Sequence, residues 1–181
     1  MSKGTQVIFF TADHHFFHAN IIRFCNRPFC DVEEMNEVLI SKWNSKIKEG
    51  DIVYHLGDFV WGKISHVEHM LDCLNGKIVL IQGSHDNNAI KIAHRFVNIT
   101  PFLEIHEGGH HITLCHYALR VWPRSHYGSL HLYGHSHSRL EPVGKSWDVG
   151  VDNNNFEPLS LDEVLEIMKK RPPNPNSSCV S

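Results

Sequence analysis

The chain has 181 residues, 41% of them hydrophobic, which is enough for a substantial buried core. With 17 basic against 20 acidic residues, it lacks the broad positive field on which non-specific nucleic-acid binding usually depends. No apolar run approaches the roughly 20 residues that span a bilayer, and five scattered cysteines fit reduced thiols better than a disulfide framework. We therefore predict one cytoplasmic domain over residues 1–171 and a disordered tail over 172–181.

Strand-like and helical segments alternate in the first half of the chain. Three apolar runs of strand length predict strands that are covered on both faces, at 7–10, 52–56 and 78–81. Asp31 with Glu34, and Ser65 with Glu68, have the spacing of helix capping boxes, and hydrophobic residues follow each pair at helical intervals. This β-α-β-α-β order predicts a parallel sheet with helices packed over it.

The second half of the chain is predicted to be rich in β-strands. Short strand candidates lie at 102–106, 111–115 and 130–133, and Gly108-Gly109 has the composition of a hairpin turn. A last helix is predicted to begin at Ser160, which has capping-box spacing to Glu163.

Five short motifs place Asp or His directly at the end of an apolar stretch. They are Asp13-His14-His15, Gly57-Asp58, Gly83-Ser84-His85-Asp86, Cys115-His116 and Gly134-His135-Ser136-His137. Ligands of open α/β sheets bind outside the carboxyl ends of the strands, so these motifs can converge. Imidazole and carboxylate together suit Mn, Fe, Zn or Ni, and a carboxylate can bridge two ions. The series therefore predicts a two-metal site.

Within the first and last motifs, two side chains are expected to share a direction. Residues two apart in an extended segment point the same way, so Asp13 and His15 form one pair, and His14 points to the opposite face. The same rule pairs His135 with His137. A Gly-Asp after a strand is by itself most often a plain turn, so the evidence lies in the shared strand-end position of all five motifs.

This ordered series resembles that of the calcineurin-like metallophosphoesterases, whose motifs are Asp-x-His, Gly-Asp, Gly-Asn-His-Asp, His and Gly-His-x-His. The segment from Asp13 to Ile22, with Asn26-Arg27-Pro28-Phe29 after it, is similar to the small stand-alone bacterial and phage members, which have no cap domain. The resemblance implies an α/β fold of α+β, four-layer type, in which a β-sandwich of two mixed sheets is flanked by helices.

The resemblance also implies how two divalent metal ions are held. One ion would be bound by Asp13, His15 and His137, the other by His116 and His135, and Asp58 would bridge both. Mn is the first candidate for both ions, with Fe, Zn or Ni as alternatives. The implied enzyme is a binuclear phosphoric ester hydrolase that cleaves a phosphomonoester or a nucleotide-type phosphodiester with a metal-bridging hydroxide.

Two further residues match catalytic positions of the family. His85 would act as the general acid that protonates the leaving oxygen, and Asp86 would orient it. A helix cap is the alternative role for Asp86.

Ser84 is the clearest departure from the family pattern, because it occupies the position of the last metal ligand, an Asn. The one-carbon Ser side chain cannot match the reach of an Asn amide oxygen, so Ser84 is expected to weaken the second metal site. A water could fill the gap, Asn87 or Asn88 could lean in, or the protein could be an altered variant. This departure motivates an alternative function, a metal-bearing interaction module with little turnover. A nuclease of the same family is a further alternative, which would need a positive groove beside the metals.

Substrate recognition is expected to involve a cation near the first motif. Arg27 is the first choice, with a solvated or salt-bridged Arg as the alternative. The other candidates for the substrate pocket are His18, Asn20 and Arg23. Tyr117 and Trp122 could stack on a base, although packing is the commoner role of such rings. The expected partner is a small phosphate ester or nucleotide; no membrane is expected, and nucleic acid is disfavoured but left open.

Overall fold

The computed structural model describes residues 6–177, which form nine strands and five α-helices. In chain order the elements are β1 (Ile8–Thr11), α1 (Ala19–Phe24), α2 (Val32–Lys46), β2 (Ile52–His55), α3 (Ile64–Cys73), β3 (Lys77–Ile81), α4 (Asn87–Ile90), β4 (Asn98–Thr100), β5 (Phe102–Glu107), β6 (His110–Cys115), β7 (Leu130–Tyr133), β8 (Ser146–Asp148), β9 (Leu159–Ser160) and α5 (Leu161–Lys170). Short 3-10 helices lie at Ala93–Arg95, Ser125–Tyr127 and Val151–Asn153.

The strands form two mixed sheets. The first has the order β4-β3-β2-β1-β9, in which β1 to β4 run parallel and β9 pairs antiparallel with β1. The second has the order β5-β6-β7-β8, in which the β5-β6 hairpin is antiparallel and the other pairs are parallel. The predicted α/β fold with two mixed sheets is therefore confirmed, and so is the parallel sheet of the first half.

Alternation along each strand divides the core into two layers. Phe9 and Val53 pack with the helices α1 to α3, whereas their neighbours Phe10 and Tyr54 pack against the second sheet. Leu114 of β6 lies in that same inner layer. Both faces of the first sheet are thus buried, which explains the continuous apolar runs of its strands.

Two of the three predicted helix starts are confirmed. Asp31 accepts a hydrogen bond from the Glu34 backbone N–H at 2.8 Å, and Ser160 forms a complete capping box with Glu163. The predicted start at Ser65 is wrong, because α3 begins one residue earlier, after an extended Lys63 with no side-chain cap.

His131 lies on the outer face of the second sheet and is buried there by the connection between β6 and β7. Its Nδ1 donates to the Thr113 carbonyl at 3.1 Å, and its Nε2 accepts from the Leu119 backbone N–H at 3.0 Å. This pairing requires the neutral imidazole. Burial lowers the pKa of His131 to about 4.

Residues 172–177 are ordered, contrary to the disorder predicted for residues 172–181. The buried Asn174 side chain donates to the carbonyl oxygens of Ser125 and Ser129 and accepts from the Lys145 backbone N–H. Its amide satisfies backbone groups that composition alone does not reveal. Residues 178–181 lie outside the described residues, and the single domain over 1–171 stays a prediction.

None of the helices within residues 6–177 is long and apolar enough to cross a membrane. The cysteines of this range are free thiols, as predicted: Cys25, Cys30, Cys73 and Cys115. Cys179 falls outside it.

Replacing His131 by Gln should flatten the pH dependence of the free energy of unfolding between about pH 6.5 and pH 4. The unfolded chain protonates His131 near pH 6.5, but the folded protein does so only near pH 4. The unfolded state therefore binds more protons in this window, and the wild type loses stability as the pH falls through it, by roughly 3 kcal/mol. Urea unfolding at a series of pH values measures the slope; an equally steep decline in the variant would contradict this role of His131.

Candidate metal centre

The five predicted motifs converge at the carboxyl ends of the strands of both sheets. Three groups of side chains in the described chain offer ligand atoms that lie within 4.8 Å of one another in each group. Two of them face one cleft, Asp13, His15 and His137 in the first and Asp58, His116 and His135 in the second; the other, Cys25, His137 and Asp152, shares His137 with the first. Asp58 Oδ2 of the second group lies 3.5 Å from His116 Nε2 and also 3.5 Å from His15 Nε2 of the first group. Asp58 therefore connects the two groups, as the prediction of a bridging carboxylate requires.

Most of these side chains are presented by a left-handed backbone. Positive φ angles between 46° and 66° occur at Asp13, His15, Asp58, His135 and His137. Non-glycine residues rarely adopt this conformation, and it persists only where the surrounding structure imposes it, typically at functional sites. Five of the eleven non-glycine residues with positive φ in the described chain lie in this one cluster, which makes it the first candidate for a functional site.

The predicted direction of the first motif is correct, but its backbone is not extended. Asp13 and His15 enter the cluster, whereas His14 is buried on the other side, where its Nδ1 lies 2.9 Å from His55 Nε2 and its ring packs edge-on against Trp43. The strand β1 ends at Thr11, so the left-handed turns at Asp13 and His15, and not strand alternation, separate the three side chains.

Glycines at two strand ends allow the loops to come close together. A Cβ on Gly57 would lie 2.6 Å from the Gly83 Cα and 2.7 Å from His116 Nδ1. A Cβ on Gly134 would lie 2.7 Å from Asp13 Oδ2. A side chain at either position would push these loops apart.

Several buried ligand atoms have no hydrogen-bond partner within residues 6–177. They are Asp13 Oδ1, both ring nitrogens of His15 and His116 Nε2. Buried polar atoms are nearly always paired, so unpaired atoms on three residues of the two ligand groups fit the binding of a cation, with one nitrogen of each imidazole as the ligand.

Hydrogen bonds fix the orientation of two of the imidazoles. His116 Nδ1 donates to the Leu56 carbonyl at 2.7 Å, and His137 Nδ1 lies 2.7 Å from Asp152 Oδ2. In both rings Nε2 is left as the ligand atom. A carbonyl or carboxylate behind the ring is the usual support of a metal-binding histidine.

The surroundings shift the pKa values of Asp13 and Asp58 in opposite directions. Burial raises the pKa of Asp13 to about 8, against the charges of His116 and His137. Burial also acts on Asp58, but the nearby His116 and His15 imidazoles outweigh it and hold the pKa of Asp58 below its usual value. A cation beside Asp13 would favour its ionised form.

The chain is similar in sequence to one relative and in fold to one solved structure. MJ1445, an uncharacterised protein of Methanocaldococcus jannaschii, is 36% identical over 172 residues, which cover 90% of this chain and 92% of the relative. The chain belongs to the MJ1445 family. The crystal structure of AQ665, a protein of unknown function from Aquifex aeolicus, has a TM-score of 0.70 at 24% identity and covers 90% of this chain and 99% of its own, so it shares the fold. No protein-family model matches the chain.

Arg27 of this MJ1445 family member is a buried support and not a substrate ligand. Its guanidinium donates bidentately to Asp152 at 2.7 and 2.8 Å, and to the backbone carbonyls of Asp13 and His14 and the sulfur of Met35. All five N–H donors are therefore used within the fold. The prediction that Arg27 binds substrate is wrong, because no donor is free to reach a phosphate.

Of the three remaining candidates for the substrate pocket, two line the cleft and one does not. His18 and Asn20 line a cleft of about 480 Å³ that opens over the two ligand groups. Arg23 lies outside this lining, on the exposed side of α1, where its guanidinium sits over the Phe24 ring. Trp122, offered as a stacking ring, is buried beside His131, whereas Tyr117 is exposed next to His135.

Asp86 connects two of the converging loops. Its carboxylate accepts from the backbone N–H groups of Asp58, Phe59 and Gly83 at 2.7 to 2.9 Å. Both oxygens are thus directed at the backbone and not at the His85 ring. The helix-cap alternative is also wrong for the side chain, because Asp86 precedes α4 without a capping hydrogen bond. Asp86 acts as a positioning residue for Asp58.

Ser84 contacts the central carboxylate. Its hydroxyl donates to Asp58 at 3.1 and 3.2 Å. Of the two proposed replacements, Asn88 is engaged elsewhere, since its side chain contacts the Gly62 carbonyl and Lys91.

Two acidic residues of the site were missed from the sequence. Asp152 holds both His137 and Arg27, and Asp148 accepts from the Ser136 hydroxyl and the Ser138 N–H, which fixes the loop between His135 and His137. Asp148 ends β8, so the strand-end criterion used for the other motifs would have found it.

Replacing Arg27 by Met should lower the free energy of unfolding by roughly 3 to 5 kcal/mol, because Asp152 would be left buried without its partner. The exposed Arg23→Met is the matched control and should change stability by no more than about 0.5 kcal/mol. Urea unfolding of both variants gives the comparison. Unchanged stability of Arg27→Met would restore the substrate role that the buried position argues against.

Proposed function

We propose that this chain is a metal-dependent phosphoesterase that hydrolyses a phosphomonoester or a nucleotide-type phosphodiester. The observation that carries the proposal is the pair of neighbouring ligand groups that Asp58 connects, with buried imidazole and carboxylate atoms that lack hydrogen-bond partners in the described chain. The resemblance of the motifs to calcineurin-like metallophosphoesterases supports the same function. Free thiols support a cytoplasmic location.

The donor set supports two divalent ions of the first transition series. Imidazole nitrogen and carboxylate oxygen suit Mn, Fe, Zn and Ni, with Mn as our first choice. The first ion would be held by Asp13, His15 and His137, the second by His116 and His135, and Asp58 would serve both. Such a pair, when bound, lowers the pKa of a water and polarises the phosphoryl oxygens.

His85 is the side chain best placed to deliver a proton. It is exposed in the cleft, with its ring centroid 5.6 Å from that of His15 and 4.8 Å from that of Trp61. Its backbone N–H donates to Asp58 Oδ1 at 2.9 Å, which holds it next to the ligand groups. A solvent-facing imidazole can give its proton to the leaving oxygen of an ester and recover it from water.

The cleft favours a small ester over a nucleic acid. Within the described part of the chain, none of its lining residues is Lys or Arg, so it has no cationic groove that could follow a phosphate backbone. A nuclease is therefore the less supported reading.

A metal-bearing interaction module is the second candidate, and Ser84 favours it. The Ser84 hydroxyl donates to Asp58 and takes up lone pairs of the carboxylate that both ions would need. Metal-dependent hydrolysis by the wild type distinguishes the phosphoesterase from the interaction module.

His85→Ala should lower kcat for hydrolysis of p-nitrophenyl phosphate or bis(p-nitrophenyl) phosphate in the presence of Mn²⁺ by about 10² to 10⁴-fold, because the leaving oxygen loses its proton donor. His94→Ala, which removes an exposed histidine outside the cleft, is the matched control. Equal rates in the wild type and His85→Ala would refute the proton-donor role. Absence of metal-dependent turnover in the wild type would favour the interaction module.

Ser84→Asn should tighten binding of the second metal ion and raise activity at limiting metal, because an amide oxygen reaches the ion and releases the Asp58 lone pairs. Calorimetric titration of Mn²⁺ into the wild type and the variant gives the affinity of each site. Identical titrations would mean that another group already completes the second site.

A further inference from the structure

Three aromatic rings form a continuous wall on one side of the cleft. The His18 ring is stacked on the Trp61 ring, with centroids 4.3 Å apart and planes at 11°, and Phe24 meets His18 at a steep angle. Trp61 and Phe24 nevertheless remain 40% and 50% exposed. Large rings left open to water beside a polar site are typical of ligand contacts.

This wall begins at the first ligand group. The His18 ring centroid lies 5.4 Å from that of His15, and the Trp61 ring meets His85 edge-on at 4.8 Å. Trp61 is also fixed by its backbone, because its N–H donates to the Phe16 carbonyl at 2.8 Å. A ligand atom at the candidate metal centre therefore has a preorganised indole next to it.

The described lining of the cleft contains no Lys or Arg, and Arg139, which approaches the wall, donates to the Phe24 carbonyl instead. The phosphate of a bound ester would therefore be held by the candidate metal centre, whose ions carry the positive charge, and the aromatic wall is left to contact the organic part of the ester.

We infer that the cleft selects a phosphate ester that carries a nucleobase-like aromatic ring, which stacks on Trp61. This rests on the proposed function, because it names the substrate class of the same site. The His18 ring stabilises the indole by stacking on it, and Phe24 packs against His18. Stacking on one exposed ring tolerates different bases. The site would therefore distinguish an ester with an aromatic ring from one without it, but would not distinguish one base from another.

Two esters with the same leaving group test this selection. Thymidine 5′-(p-nitrophenyl phosphate) and methyl p-nitrophenyl phosphate both release p-nitrophenolate and carry one charge, but only the first has a base on the retained side. In the Mn²⁺-loaded protein, kcat/KM should be about tenfold higher for the thymidine ester, and Trp61→Ala should remove most of this ratio. Trp61→Phe should retain part of it, and Tyr127→Ala, which removes an exposed ring outside the cleft, should leave it unchanged.

Equilibrium binding provides a readout that does not depend on turnover. Thymidine 5′-methylphosphonate is singly charged, and its one ester bond has a poor alkoxide leaving group, so its affinity for the Mn²⁺-loaded protein can be measured by calorimetry with intact ligand verified afterwards. We expect Trp61→Ala to weaken it about tenfold. If the wild type hydrolyses neither ester but loses this affinity on Trp61→Ala, the aromatic site stands and the proposed function fails. If both esters are hydrolysed with equal kcat/KM and Trp61→Ala changes neither the ratio nor the affinity, the proposed function stands and the inference is overturned.

Discussion

Two carboxylates buried among imidazoles are the constraint around which this structure is arranged. Asp13 and Asp58 are almost wholly withdrawn from water, and Asp13 Oδ1 faces the cluster without a hydrogen-bond partner in the described chain. Burying a carboxylate is costly unless a positive charge or hydrogen bonds compensate. The imidazoles around Asp58 provide part of that compensation, and a pair of divalent cations would provide the rest. The left-handed turns and close glycine contacts bring the ligands together at the expense of backbone strain.

A second set of buried polar residues holds the first in place. Arg27 joins Asp152 to the carbonyls of the first loop, and Asp152 in turn orients His137. Asp86 fastens the loop of Asp58 to that of Gly83. Charged groups that look like substrate ligands or catalysts in the sequence are thus structural, and the open cleft is left to imidazoles, amides and aromatic rings.

Strand periodicity predicted the parallel sheet of the first half and the β-rich second half, and strand-end position predicted the convergence of the five motifs, because both are local properties; the two mixed sheets were implied by the family resemblance. The prediction failed where the direction of a side chain depends on burial against residues that are distant in sequence. Arg27 and Asp86 were expected to meet substrate or His85, but their side chains turn inward to partners that are distant in sequence, as Arg27 does to Asp152. Asn174 illustrates the same point: a polar tail residue is ordered because it satisfies backbone groups of a loop almost fifty residues earlier.

The central claim is that Asp58 joins two metal ions in one centre. Metal analysis of the purified protein after Mn²⁺ loading and removal of free metal tests it most directly, with Asp58→Ala beside the exposed-acid control Asp72→Ala. The account predicts two ions per chain in the wild type and in Asp72→Ala, and loss of the two-ion centre in Asp58→Ala. Two ions retained in Asp58→Ala, or none in the wild type, would contradict it.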